Sequence, residues 1–183
     1  MTERARLIGV WVLVMGVAAG ALKALDRVPS LLAGTPHGAR VFGSIEEAER
    51  AVGARIWLPA YYPDELAWPP ASVEATSTEP LAVVVRIARR SDGRERLVVA
   101  QSIGATAAPP PHFLPRADEI GAAEVVVGAH RARLSRVLLG PYELHDLWWD
   151  QGGRRVTLRY TGPVETLLQI ASSLEHRAAV ELQ

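Results

Sequence analysis

The residues most capable of chemistry in this chain are its histidines, and their spacing assembles neither a catalytic set nor a metal site. They are His37, His112, His130, His145 and His176. No two of them share a helix face or the spacing of a ligand pair, and no cysteine completes a zinc site. The sequence therefore predicts no metal ion and no cofactor.

The adjacent pair His145 and Asp146 is the starting point for a Ser-His-Asp triad, but the pattern does not support one. Neighbouring residues on a strand point to opposite faces, and no serine lies in a Gly-x-Ser-x-Gly turn. The carboxylate pairs Glu46–Glu47 and Asp118–Glu119 are typical of solvated helix and loop surfaces. Gly152–Gly153 is typical of a turn, because no glycine-rich fingerprint between strand and helix accompanies it. We therefore expect no enzymatic activity.

The charge of the chain excludes nucleic acid as a partner. Twenty basic residues balance twenty acidic residues, and the arginines are scattered rather than gathered into a stripe. The absence of cysteine also excludes disulfides and a lipid-modified cysteine. The fold must therefore depend on its hydrophobic core.

An uncharged stretch near the N-terminus, Leu7–Leu22, predicts a membrane anchor. Arg4 and Arg6 precede it and Lys23 follows it. At ~1.5 Å per residue a helix that continues to Leu25 is ~28 Å long, enough for one crossing of a ~30 Å hydrocarbon core. The residues assigned to this membrane anchor are Leu7, Val10, Trp11, Leu13, Val14, Val17 and Leu22.

The same stretch has a second interpretation, a cleaved signal peptide with an apolar region Leu7–Val17 and a small-residue site at Ala19–Ala21. Good helix formers continue past that site as far as Pro29, which favours an anchor. The flanking positive charges are nearly balanced. A single crossing after a signal-like start favours a cell-membrane protein whose C-terminal domain is extracytoplasmic.

The rest of the chain has the length of one domain, of the α+β class. We expect an antiparallel, meander-like sheet with two helices packed on it, behind the transmembrane helix. The predicted boundaries are an anchor at residues 1–28, a linker at 29–43, the domain at 44–175 and a tail at 176–183.

Two helices are predicted from cap and stripe patterns. Ser44 begins a capping box in which Glu47 reaches back to the cap amide, the helix covers Ile45–Val52, and Gly53 ends it. The second helix starts after Pro163, carries an apolar stripe from Val164 to Leu174, and then frays. The stripe residues are Val164, Leu167, Leu168, Ala171 and Leu174.

Alternating hydrophobicity and turn residues predict the strands. The first, Arg55–Leu58, ends at Pro59. The others are Leu81–Arg90, Arg94–Ile103, Ala123–Val127, His130–Leu138, Tyr142–Trp149 and Arg154–Tyr160. In the Tyr142 strand, a buried pair of Leu147 with Trp149 and a buried pair of Leu144 with Trp148 are both compatible with the alternation.

Two proline-stiffened loops carry the residues that we expect to bind a partner. Pro59–Pro70 presents Tyr61, Tyr62 and Trp68, which form either a binding surface or a cover for one end of the core. Gly104–Gly121 is unusually long for a loop. Three consecutive prolines, Pro109–Pro111, are followed by His112, Phe113 and Leu114, which form either an exposed apolar tip or a segment folded back onto the domain.

Several segments together resemble a known family. They are Leu58–Pro63, Val127–Ala132, Leu147–Asp150 and the closing helix Leu167–Leu174. In this order, behind an N-terminal crossing, the chain resembles the domain-of-unknown-function family at the extracytoplasmic ends of bacterial anti-sigma-factor-like and sporulation-associated single-pass membrane proteins. The resemblance implies an α+β sensor or interaction domain without enzymatic residues. About six residues precede the crossing, too few for a sigma-binding domain, so no direct anti-sigma role is expected.

The expected function is that of a non-enzymatic, membrane-anchored interaction domain, a regulatory or accessory subunit of an envelope or membrane protein complex. Tethering would raise its effective concentration for a membrane partner. The alternative is a carrier or sensor of a lipid or other apolar ligand, held between the curved sheet and its helices and secreted if the N-terminal segment is cleaved. An enzyme with a site assembled from distant residues ranks third.

Overall fold

The main element of the fold is an eight-stranded antiparallel sheet, seen in a computed structural model that describes residues 39–76, 80–104, 108–110 and 112–181. In chain order the strands are β1 (Ala39–Phe42), β2 (Ser72–Thr76), β3 (Leu81–Ala88), β4 (Glu95–Ile103), β5 (Asp118–Val127), β6 (His130–Leu139), β7 (Tyr142–Gln151) and β8 (Arg154–Tyr160). The helices are α1 (Ile45–Val52) and α2 (Val164–Glu181). The predicted α+β sheet with two helices is confirmed.

The sheet consists of two four-stranded meanders joined side by side. Its strand order is β1-β2-β3-β4-β8-β7-β6-β5, so β4 pairs with β8 rather than with β5. The connection after β4 therefore crosses the sheet, and β5 begins at the far edge. This crossing is why the predicted meander holds within each half but not through the whole chain.

Strand alternation gives the sheet two covered faces of unequal size. The main core lies on the face that α1 and α2 cover, and α2 contributes Leu167, Ile170, Ala171 and Leu174, all fully buried. The second face has a smaller core, which consists of Ala39, Ala82, Val84, Val98, Ala100 and Phe113. An apolar ligand held between the sheet and its helices stays a prediction.

Helix α1 begins and ends as its sequence predicts. The Glu47 amide donates to Ser44 Oγ at 3.2 Å, and Gly53 ends the helix in the left-handed conformation with φ of 68°. One detail differs, because the Glu47 carboxylate accepts from the amide of Gly43 at 3.0 Å rather than from the cap amide. Both bonds satisfy amides at the start of the helix.

The predicted strand Arg55–Leu58 is wrong, although its residues 56–58 are buried. Side chains, rather than a neighbouring strand, form hydrogen bonds with the backbone of this segment. The Ile56 amide donates to Glu49 Oε1 at 2.8 Å. The Gln101 side chain accepts from the Trp57 amide at 3.0 Å and donates to the Trp57 carbonyl at 2.6 Å. The segment buries its backbone without joining a sheet.

Three predicted boundaries also shift. Strand β1 lies within the predicted linker 29–43, and its Phe42 belongs to the main core. Strand β5 begins at Asp118, inside the segment predicted as a loop. Helix α2 continues to Glu181, beyond the predicted fraying after Leu174.

The predicted anchor Leu7–Leu22 lies outside the described residues. The described residues belong to one compact unit. No helix in the described part of the chain is long and apolar enough to cross a membrane. The anchor therefore stays a prediction.

Candidate functional site

The aromatic segment Pro59–Pro70 forms an ordered loop that is bonded to α2. The Tyr61 amide donates to Ser173 Oγ at 3.1 Å. The ring of Tyr62 lies 5.5 Å from that of Trp68, and Tyr62 packs against the main core. Trp68 is 55% exposed and Tyr61 is 36% exposed. The structure thus brings Tyr62 and Trp68 together and leaves Tyr61 and Trp68 accessible.

A carboxylate in the same loop binds the sheet. The Tyr160 hydroxyl donates to Glu65 Oε1 at 2.8 Å, and Arg96 Nε lies 3.2 Å from the same oxygen. The hydrogen bond from Tyr160 lowers the pKa of Glu65. Burial, followed by the bond to Glu65, raises the pKa of Tyr160 to about 12. These contacts bond the loop to the sheet.

The raised pKa of Tyr160 predicts a loss of stability at alkaline pH. Below pH ~10 the neutral phenol is present in both the folded and unfolded states, so its contribution is complete. As the pH rises through the folded pKa of about 12, we expect the free energy of unfolding to fall by ~2 to 3 kcal/mol, because only the unfolded chain ionises easily. Denaturant unfolding at a series of alkaline pH values measures this loss.

The matched variant for that measurement is Tyr160→Phe. We expect the last component of the tyrosinate absorbance titration to disappear in this variant, and its alkaline loss of stability to be smaller. A late component that persists in the phenylalanine variant would contradict the assignment.

The second loop lies on the opposite face of the sheet. Phe113 is fully buried in the smaller core, Leu114 is half-buried and His112 is exposed. The interpretation in which Phe113 forms an exposed tip is wrong, and the one in which it folds back is confirmed. The reason is that the small apolar side chains of β3 and β4 on this face need a cover. The two predicted loops therefore do not form one surface.

Two arginines of the sheet hold this loop in place. Arg86 Nη2 donates to the Phe113 carbonyl at 2.7 Å, and Arg159 Nη1 donates to the Pro115 carbonyl at 2.8 Å. Arg159 also donates to both oxygens of Asp146, each at 2.7 Å. The Arg159 side chain is 7% exposed and that of Asp146 is 16% exposed. This buried pair explains Asp146, which the sequence pattern placed beside a histidine.

His145 lies on the other face of β7, as strand alternation predicts. Its Nδ1 atom is 3.1 Å from the Gly162 carbonyl oxygen. Among the described residues, no group of three histidine, aspartate or glutamate side chains is placed to hold a metal ion. The histidine and its neighbouring carboxylate thus have separate structural partners.

Among the described strands, the edge strand β5 has the longest run of exposed residues, and its residues 118–122 lie outside the predicted strand Ala123–Val127. Its side chains are exposed from Asp118 to Glu124, and within the described residues β5 pairs only with β6. Ile120 is 42% exposed and Val126 is 71% exposed. Aspartate, glutamate and glycine are depleted in strands, so the sequence of residues 118–121 favours a loop. Only the apolar run at residues 125–127 indicated a strand.

The chain matches no protein-family profile, no curated protein and no solved structure. The resemblance to the extracytoplasmic domain family therefore stays a prediction. What the fold offers instead are two accessible features of the described residues, the β5 edge and the Tyr61–Trp68 loop surface.

Proposed function

We propose that this protein is a non-enzymatic, membrane-anchored extracytoplasmic interaction domain, an accessory or regulatory subunit of an envelope or membrane protein complex. The observation that supports this proposal best is the exposed edge of β5. An edge strand presents unpaired backbone N–H and C=O groups, and extended segments of partner proteins bind by adding a strand there.

The two edges of the sheet differ in how well they suit such a partner. Strand β1 has four residues, and short edge strands are a common protection against unwanted pairing. Strand β5 has ten residues and carries the exposed apolar side chains of Ile120 and Val126. The long edge is therefore the better docking element.

The charge on β5 defines the kind of segment that fits. The strand carries Asp118, Glu119 and Glu124 and no basic residue. The Glu119 carboxylate already accepts hydrogen bonds from Arg133 Nη2 and Ser135 Oγ, each at 2.8 Å. An extended partner segment with apolar residues and a lysine or arginine opposite Glu124 would complement this edge. The predicted anchor would hold the domain beside partners in the membrane.

The substitution Val126→Lys is expected to block this pairing. The substitution Val41→Lys, on the opposite edge of the sheet, is expected to leave the pairing intact. The two valines are a matched pair, with exposures of 71% and 64%. We expect a photo-crosslinking residue at Ile120 to give one adduct with another membrane or envelope protein in native membranes. Val126→Lys should reduce this adduct by about fivefold, which corresponds to ~1 kcal/mol.

Both lysine variants should unfold like the parent protein, since neither valine is buried. The proposal fails if Val126→Lys and Val41→Lys give equal adduct yields. It also fails if the Ile120 adduct contains only copies of this chain.

A further inference from the structure

A cleft of about 370 Å³ lies on the second face of the sheet, and no residue of β5 or of the aromatic loop lines it. The β3–β4 hairpin forms one wall and the β6–β7 hairpin forms the other, and Leu114 and Pro115 close one end. Small-molecule sites commonly measure ~300 to 1,000 Å³. The cleft therefore has the size of a ligand site.

The lining of the cleft combines an apolar base with a cationic border. The apolar residues are Val98, Leu114, Pro115, Leu139, Tyr142 and Leu144. The charged residues are Arg86, Arg89, Arg94, Arg96, Arg159 and a single carboxylate, Glu95. The cleft is therefore charged on one side and apolar on the other, which matches the two ends of an amphiphile.

The carboxylates that balance most of these arginines lie outside the lining. Glu65 pairs with Arg96 and Asp146 pairs with Arg159, and neither carboxylate lines the cleft. A guanidinium has five N–H donors, and the hydrogen bonds of Arg159 to Asp146 and Pro115 use three of them. Donors therefore remain for a bound anion.

The least engaged cation at the cleft is Arg94. Its side chain is 74% exposed, and its ion pair with Asp92 Oδ2 is 4.0 Å long. Asp92 is already held by two hydrogen bonds from Arg89. Arg94 is thus available to meet an anionic group that enters the cleft from solvent.

We propose that this cleft binds a single-chain anionic amphiphile, with its carboxylate or phosphate head at Arg94 and its alkyl tail over Leu139 and Tyr142. Guanidinium groups bind carboxylate and phosphate in paired hydrogen bonds, which accounts for the head. Burial of the tail on the apolar base supplies the hydrophobic contribution. This ligand site is independent of the protein partner proposed for β5.

The test is photolabelling of the full chain in nanodiscs of phosphatidylcholine. The probes are diazirine derivatives of dodecanoate, dodecyl phosphate and the neutral dodecanol. We expect both anionic probes to label peptides that contain Leu114 or Tyr142, at yields about tenfold above dodecanol, the ratio for ~1.4 kcal/mol. Equal labelling by the neutral and anionic probes, or labelling confined to residues 1–28, would overturn the proposal.

Two matched pairs of variants test the cleft itself. Arg94→Gln should reduce anionic labelling severalfold, whereas Arg131→Gln, at an exposed arginine of β6 outside the cleft, should not. Leu139→Asp should abolish labelling and Leu138→Asp, at the next residue but outside the lining, should retain it. Circular dichroism confirms that each variant is folded. The proposal is overturned if the two variants of either pair are both folded and are labelled equally.

Competition distinguishes the source of the ligand. Lysophosphatidate incorporated in the nanodisc and soluble decanoate are compared as competitors of the dodecanoate probe. Competition by either one supports the proposal, and the stronger competitor identifies a bilayer or an aqueous source. Competition by an acidic peptide but by neither amphiphile overturns it in favour of a peptide site.

Discussion

Replacing Arg159 with methionine is expected to lower the free energy of unfolding by ~3 to 5 kcal/mol. The substitution leaves the Asp146 carboxylate, which is 16% exposed, without its guanidinium partner. It also removes the donor to the Pro115 carbonyl, so the loop that contains Phe113 loses one of its two arginine bonds. Urea unfolding followed by tryptophan fluorescence measures the change.

The matched control is Arg155→Met on the same strand. Arg155 also donates to both oxygens of its partner, Asp150, at 2.8 Å, but the two side chains are 21% and 39% exposed. Solvent screening weakens such pairs to ~1 kcal/mol or less, and the stacking of Arg155 on Trp148 adds ~0.5 to 1 kcal/mol. Equal losses in the two variants would contradict the buried-pair argument.

A double variant distinguishes the loss of the ion pair from the cost of leaving one charge buried without a partner. Arg159→Met combined with Asp146→Asn removes the uncompensated charge, so it should be less destabilised than Arg159→Met alone. A double variant that is as unstable as the sum of the two single variants would indicate that the residues act independently.

Gln101→Leu is expected to lower the free energy of unfolding by ~2 to 5 kcal/mol. Gln101 is fully buried, and its amide satisfies both the N–H and the carbonyl of Trp57. Each backbone group left buried without a partner costs ~1 to 3 kcal/mol. Denaturant unfolding measures the loss, and proteolysis near Trp57 in the native state measures the release of this segment.

The control for this substitution is Gln151→Leu. Gln151 is also buried, but its side chain accepts one hydrogen bond, from Trp149 Nε1 at 3.1 Å. We expect about half the loss seen for Gln101→Leu, since one buried group rather than two loses its partner. If Gln151→Leu is the more destabilising of the two, Gln101 does not have the structural role described above.

Local patterns were sufficient wherever the deciding contacts lie within a few residues. Helix α1 is determined by Ser44, Glu47 and Gly53, which act over one turn at each end. Strand β8 has the bounds predicted from alternation between two turns, Arg154–Tyr160. On β7 the alternation is compatible with both buried pairs, because both faces of the sheet are covered. Leu147 and Trp149 are in the main core, and Leu144 is buried on the second face.

Contacts between distant parts of the chain decided the remaining features. Residues 55–58 have the hydrophobicity of a strand, yet the Gln101 side chain, 44 positions from Trp57, satisfies that backbone. The burial of Phe113 depends on Val84 and Val98, which strand pairing brings under the loop. The cleft likewise needs β4 to pair with β8, since its arginines come from both meanders.

The sequence by itself determined the α+β class, the capped helix α1 and most of the hairpins, because caps, turns and alternation are read from neighbouring residues. It also predicted the anchor. Only the tertiary structure decided which strand is an exposed edge and which arginines meet above an apolar base. Those properties depend on the order of strands in the sheet, and that order is fixed by the burial of both faces rather than by any local pattern.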